Sequence, residues 1–442
     1  MKIKLSDHFT YKRLFQFVLP SIAMMIFTSV YGVVDGFFVS NYAGKTEFAA
    51  VNLIIPFPMV LGAFGFMIGT GGSALVSITL GEGKKKEANE FFSMLIYVTI
   101  GVGLLLTVLG VIFTRQIAGF LGAEGEMLEY CTKYGRILLL ALVPFMLQNV
   151  FQSFLVTAEK PMFGLIITVI AGVTNIVLDY VFIGVLRGGV VGAALATAIS
   201  QFVGGIVPLV YFILPNKSQL GLIKARLNRS ALLKTCFNGS SELMTNVSLS
   251  LVNMLYNFQL LRFAGEDGVA AYGVIMYVNF VFIATFLGYA IGTAPIIGYH
   301  YGAGNKDEMK NVYKKSILFN IVAGILMCVV AILLSGPLAN LFVGYDADLY
   351  KMTKWGFSIF SISFLVNGLN IYASSFFTAL GNGLVSALIS FLRTLLFQVM
   401  AVLILPIYFG LNGVWFAIVA AEGMALIVAM AFLTFYRKKY GY

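Results

Sequence analysis

The sequence predicts an all-α integral membrane protein with twelve transmembrane helices in two pseudo-symmetric six-helix lobes. Three observations carry this expectation. Of 442 residues, 60% are apolar and only 11% are charged, where a water-soluble domain carries about 25% charge. The apolar residues fall in twelve long runs, and about 20 residues suffice to cross a bilayer. The chain also matches itself when shifted by 221 residues, half its length.

This composition excludes disorder, collagen-like repeats and small disulfide scaffolds. The net charge of +10 would suggest a nucleic-acid partner in a soluble protein. In a chain of apolar spans it reads instead as the Lys and Arg surplus of cytoplasmic loops, and no nucleic-acid partner is expected. Three scattered cysteines and two histidines provide no disulfide framework and no zinc spacing.

The runs follow in order. The first covers 14–39, after a basic stretch from Met1 to Arg13 and without a cleavage site, so it reads as a retained span. The second, 48–80, contains Pro56 and Pro58, which should bend it. The third to sixth are 91–113, 133–156, 162–185 and 190–214. Pro215, Asn216 and Ser218 then break the chain into a basic linker at 215–235, expected to lie on anionic lipid at the cytoplasmic face. The remaining runs are 236–262, 269–300, 316–342, 354–379, 384–408 and 412–435. All read as helices, because only helices and closed barrels satisfy the backbone in lipid, and barrel strands would alternate. The expected lobes are 1–214 and 236–442.

Lys and Arg divide unevenly between the two sides. Twenty lie with the termini, including Lys2, Lys84, Lys160, Lys224, Lys306 and Lys439; eight lie opposite, from Lys45 to Lys354. Arg393 falls inside a span. This bias places both termini in the cytoplasm of a multi-pass cell-membrane protein, which requires an even number of spans.

Under the shift of 221, Gly44 falls on Gly265, Gly83 on Gly304, Thr132–Gly135 on Thr353–Gly356, Asn149 on Asn370 and Gly189 on Gly410. An even number of spans per half makes the repeats parallel, a plan used by alternating-access transporters.

An acid at the centre of a span costs roughly 2.5–3.5 kcal/mol, so each one is a functional candidate. Four acids lie well inside: Asp35, Asp179, Glu242 and Glu422. None has an acidic counterpart in the other half. Asp35 meets Tyr256, Asp179 meets Met400, Glu242 meets Ser21 and Glu422 meets Gln201. Asn175 lies one turn before Asp179, on the same face. Asp35, Asp179, Asn175 and Thr197 offer hard oxygen donors suited to a proton or sodium ion, with a purely structural bonding role as the alternative. In the second half Arg393 and Glu422 can form an ion pair, which leaves Glu242 to meet a cationic substrate. A Gly69–Ala74 match to a dinucleotide-binding pattern sits inside an apolar helix with no preceding strand and is discarded. No Walker motif or metal-protease motif is present.

These residues resemble the multidrug and toxic compound extrusion (MATE) transporters, within them the bacterial drug/sodium or drug/proton antiporters. The resemblance spans the whole chain. It rests on Pro20 and Val34-Asp35-Gly36 in the first span, Ala49-Ala50, Asn175-x-x-x-Asp179, Gly192-Ala193-Ala194 with Thr197, and Glu242. It implies a secondary transporter, not an enzyme, that exports organic cations in exchange for H+ or Na+ by alternating access. Asp35, Asn175, Asp179 and Thr197 would form the cation-coupling site, with Tyr31 and Tyr134 as neighbours. Some members carry an acid in the tenth span; here Asn367-Gly368-Leu369-Asn370 stands there, so Glu242, Asn367 and Asn370 become candidates for the substrate cavity. No cofactor and no metal beyond sodium is implied, and membrane lipid and small organic cations are the partners expected of a monomer. A flippase for lipid-linked precursors shares the scaffold, and an intramembrane enzyme or receptor is the alternative from another class.

Overall fold

The computed structural model describes residues 3–42 and 44–442, and every regular element among them is helical. Lys2 of the basic N-terminal stretch and the side chain of Lys45 lie outside the described part. The first half contains α1 (Tyr11–Tyr42), α2 (Thr46–Gly81), α3 (Lys85–Phe120), α4 (Gly125–Leu140 with Leu142–Thr157), α5 (Pro161–Val185) and α6 (Gly189–Ile213). The second half contains α7 (229–264), α8 (266–302), α9 (Lys306–Val343), α10 (Ala347–Ser361 with Phe364–Ala379), α11 (383–409) and α12 (411–440).

The two lobes repeat each other down to their turns. α7 doubles back into α8 at Gly265 (φ 61°), and α11 into α12 at Gly410 (φ 56°). Their partners under the 221 shift, Gly44 and Gly189, also have positive φ, a region where a Cβ is strained. α4 bends by 54° beside Ala141, and α10 by 47° beside Ile362, 221 positions later. α2 breaks at Ile55, directly before Pro56, because proline cannot donate the next backbone bond. At 36 residues it runs to about 54 Å at 1.5 Å per residue, longer than roughly 30 Å of hydrocarbon. α7 starts before its apolar run: Arg229–Lys234 already form its first turns, because the Asn228 side chain accepts from the Ala231 N–H at 3.0 Å. This N-cap satisfies a donor that the helix itself cannot.

The outward surface is apolar, as lipid requires. On α3, Leu104, Leu105, Val108 and Ile112 all point outward and are exposed. Inside, the lobes meet through small residues. A Cβ on Gly71 of α2 would strike the Thr235 carbonyl of α7, and one on Gly239 of α7 would strike the Met67 carbonyl of α2. Without burial against water as a driving force, such close backbone approach is what holds membrane helices together.

These contacts close the end of the molecule that carries the termini. There the N-terminal segment is tied to both lobes. The Leu5 N–H donates to Glu159 Oε1 at 2.8 Å, in the turn between α4 and α5. The Phe9 N–H donates to Glu308 Oε1 at 2.8 Å, in the first turn of α9. Leu5 and Phe9 are fully buried, and the Phe9 carbonyl accepts from Asn311 and Lys315.

Candidate functional site

In the first lobe, three helices bring the sequence-singled residues together. Asp35 comes from the last third of α1, Asn175 and Asp179 from one face of α5, and Thr197 from α6. Asp179 and Asn175 lie against Asp35, and the Thr197 hydroxyl donates to Asp35 Oδ1 at 3.5 Å. Tyr31 stands one turn before Asp35, beside Gln148, and Tyr134 of α4 is buried next to Thr197.

Burial sorts the two acids. Asp179 is completely buried, and neither of its oxygens has a hydrogen-bond donor among the described residues; both polar atoms of Asn175 are likewise unpartnered. Asp35 is half-buried and lines a cavity of about 90 Å³ with Tyr134, Thr197 and Gln201. The break at Ile55 and the adjacent Pro58 form the other wall of that cavity. Asp35 therefore stands between the cavity and the deeper Asp179. Buried carboxylate oxygens without donors are costly, and a small cation or a proton is the kind of group that lowers this cost. All the donors are oxygens, as sodium prefers.

α5 does not continue as an ordinary α-helix past this point. Residues Tyr180–Val185, directly after Asp179, form a π-helical turn, a device often found at functional sites because it re-aims the neighbouring side chains.

The second lobe has the opposite polarity. Arg393 lies within a second π-helical turn, Leu392–Leu396, in α11, the repeat partner of α5. Its Nε donates to both Glu422 Oε1 and Oε2 at 2.9 Å. The Asn370 amide donates to Glu422 Oε2 at 2.7 Å, and with its terminal amide turned over Asn367 donates to Oε2 and Oε1 at 3.0 and 3.1 Å. Arg393, Glu422 and Asn367 line a cavity of about 140 Å³ with the stacked rings of Tyr256 and Tyr272, whose centroids are 5.0 Å apart. Asn370 sits behind Glu422. Glu242 is half-buried on α7 and stands apart from this cavity lining, with Arg393 as its neighbouring opposite charge.

Two participants were not singled out from the sequence. Gln201 joins Asp35 in the first-lobe cavity; its signal was its place opposite Glu422 in the repeat. Tyr277 of α8 brings its hydroxyl to the Gly36 position of α1, beside Asp35. That contact crosses between lobes, and no sequence spacing reports it.

The comparisons with known proteins agree with this architecture. The MatE family profile matches twice, over residues 20–181 and 243–404, once per lobe. The chain is 27% identical to "Multidrug export protein MepA" of Staphylococcus haemolyticus (strain JCSC1435) over 422 residues, 95% of this chain and 92% of that protein. The MepA of Staphylococcus aureus (strain MSSA476) is 26% identical over the same shares. Among solved structures, "Crystal structure of MATE in complex with MaL6" superposes with a TM-score of 0.93 at 24% identity, covering 98% of each chain. "Outward-facing conformation of a multidrug resistance MATE family transporter of the MOP superfamily" does so with 0.92 at 24% identity, over 97% of this chain and 96% of that one. With both halves matched by the profile and each half folded as one six-helix lobe, the chain belongs to MatE, the multidrug and toxic compound extrusion family of membrane transporters, which are not enzymes.

Proposed function

We propose that this protein exports organic cations and other small drugs in exchange for H+ or Na+, by alternating access between its lobes, and that Asp35 and Asp179 bind the coupling ion. The observation that carries the reading is the Asp35–Asp179 arrangement: one acid on the cavity wall, the second buried behind it with both oxygens free of donors among the described residues. Two carboxylates side by side in hydrocarbon repel each other, and one proton or sodium ion relieves the repulsion. An antiporter needs a group that holds the driving ion in one conformation and gives it up in another, and this pair has that chemistry. Asn175 and Thr197 complete the oxygen donors, with Tyr31 and Tyr134 packed around them. The relatives named for multidrug export support the substrate class. The Lys and Arg surplus on the terminal side supports cytoplasmic termini in the cell membrane, and the repeat supports a monomer that needs no partner to complete its two lobes.

The test is efflux of a fluorescent cation from loaded vesicles under an imposed proton or sodium gradient. Asp35→Asn and Asp179→Asn should each abolish gradient-driven efflux at matched membrane abundance. Normal efflux in both would remove coupling from this site.

A further inference from the structure

The second-lobe cavity differs from the first in what it offers a ligand. Both carboxylate oxygens of Glu422 are already occupied, Oε1 by Arg393 and Oε2 by Arg393 and Asn370. Arg393, by contrast, reaches Glu422 with Nε alone, and among the described residues its two terminal amino groups donate to no protein atom. Its side chain is 13% exposed and lines that cavity. A saturated acid has little left for a cation. A guanidinium held beside this cavity by its Nε, with both terminal amino groups free of protein acceptors among the described residues, is pre-organised for a planar anion.

We propose that Arg393 is a specificity residue that binds the carboxylate end of aromatic, zwitterionic substrates in the second-lobe cavity. The stacked Tyr256 and Tyr272 and the nearby Phe280 and Phe360 supply the flat apolar wall for the aromatic part. Their hydroxyls are spent elsewhere: Tyr256 donates to Gln398 at 3.1 Å and Tyr272 to Asn253 at 2.8 Å. The rings thus present faces, and the arginine presents the donors. Glu422 is a positioning residue that fixes the guanidinium by its Nε edge, and Asn370 in turn holds Glu422. The repeat underlines the specialisation, because the counterpart of Arg393 in the first lobe is Gly172 and that of Glu422 is Gln201. The inference rests on the drug-export reading for the existence of substrates, but it needs no particular coupling ion.

The experiment measures equilibrium binding to the purified full-length protein in phospholipid-free micelles, so that no lipid phosphate competes. The probes are a rhodamine with a free benzoate and the methyl ester of the same dye, followed by fluorescence anisotropy. They differ only in the carboxylate. The ratio of acid to ester affinity should fall about tenfold or more in Arg393→Gln/Glu422→Gln, the loss of one charge-assisted contact. In Glu422→Gln, which keeps the arginine and removes its competing charge, the ratio should hold or rise. Thermal melting of each variant separates a folding defect from a binding defect. An unchanged ratio in the double variant overturns the proposal, as does an equal fall in the double variant and in Glu422→Gln, which is what a purely structural pair would give. If the ester binds normally throughout, the export reading stands whatever happens to the arginine.

Discussion

The Nε of Arg393 lies 2.9 Å from both carboxylate oxygens of Glu422, at a position where the first lobe carries Gln201. The same fold thus holds a charge pair in one lobe and, in the other, two acids with no basic partner among the described residues. A duplicated scaffold keeps its turns and bends, while the charges in its two cavities diverge.

Breaking that pair should be expensive. Arg393→Gln leaves Glu422, 4% exposed at its side chain, with only amide donors, and removal of one partner of a buried pair costs about 3–5 kcal/mol. The double variant Arg393→Gln/Glu422→Gln removes both charges and should recover most of this. Melting in detergent should rank wild type and the double variant above Arg393→Gln. Equal melting of the single and double variants would show that the pair's charge does not matter to stability.

The small-residue contact between α2 and α7 should govern closure of the terminal side. Gly239→Val would drive a side chain into the Met67 carbonyl and force the helices apart. Cys236, half-buried one turn away, is a native reporter. With Cys131 and Cys328 replaced by Ser, maleimide labelling of Cys236 should be several-fold faster in Gly239→Val than in its parent. Unchanged labelling would mean that closure does not depend on this approach.

The N-terminal tether should be pH-dependent. Burial alone would raise the Glu308 carboxyl, but the Phe9 N–H, Asn311 and His8 bond to its charged form and hold it below the ordinary carboxylate value. A lowered folded value means the tether is stabilised above the usual carboxylate value, about 4.3, and loses that stability as pH falls through the lower one. Hydrogen exchange at the Leu5 and Phe9 amides, corrected for intrinsic rate, should therefore be protected at neutral pH and speed up below about pH 4. In Glu308→Gln, the Phe9 amide should exchange faster at neutral pH and lose most of this acid dependence. Acid dependence that survives in Glu308→Gln would assign it to another group.

Much of this was legible in the sequence, because the bilayer leaves few options. Continuous apolar runs can only be helices, and the repeat carries its turn glycines, Gly44 with Gly265 and Gly189 with Gly410, at matching positions. Asp35, Asn175, Asp179 and Thr197 stood out because polar residues are rare in spans, and the structure brings them into one place. The start of α7 at Arg229 was not legible from hydropathy, since its first turns are basic and held by an Asn228 cap. Nor was Tyr277, whose approach to α1 depends on how the two lobes meet. The donor-rich character of the second-lobe cavity needed coordinates as well: composition names Arg393 and Glu422, but only geometry shows that the acid is saturated and the arginine is not.

As antiporter groups, the first-lobe carboxylates should exchange their ion against substrate. The direct measurement is ion release: tetraphenylphosphonium is added to the purified protein in weakly buffered micelles, and protons and sodium are followed together. Wild type and Glu242→Gln should release one of the two ions on substrate binding, and Asp35→Asn and Asp179→Asn should release neither. Undiminished release from both Asp variants, with loss in Glu242→Gln, would contradict the account and move coupling to the second lobe.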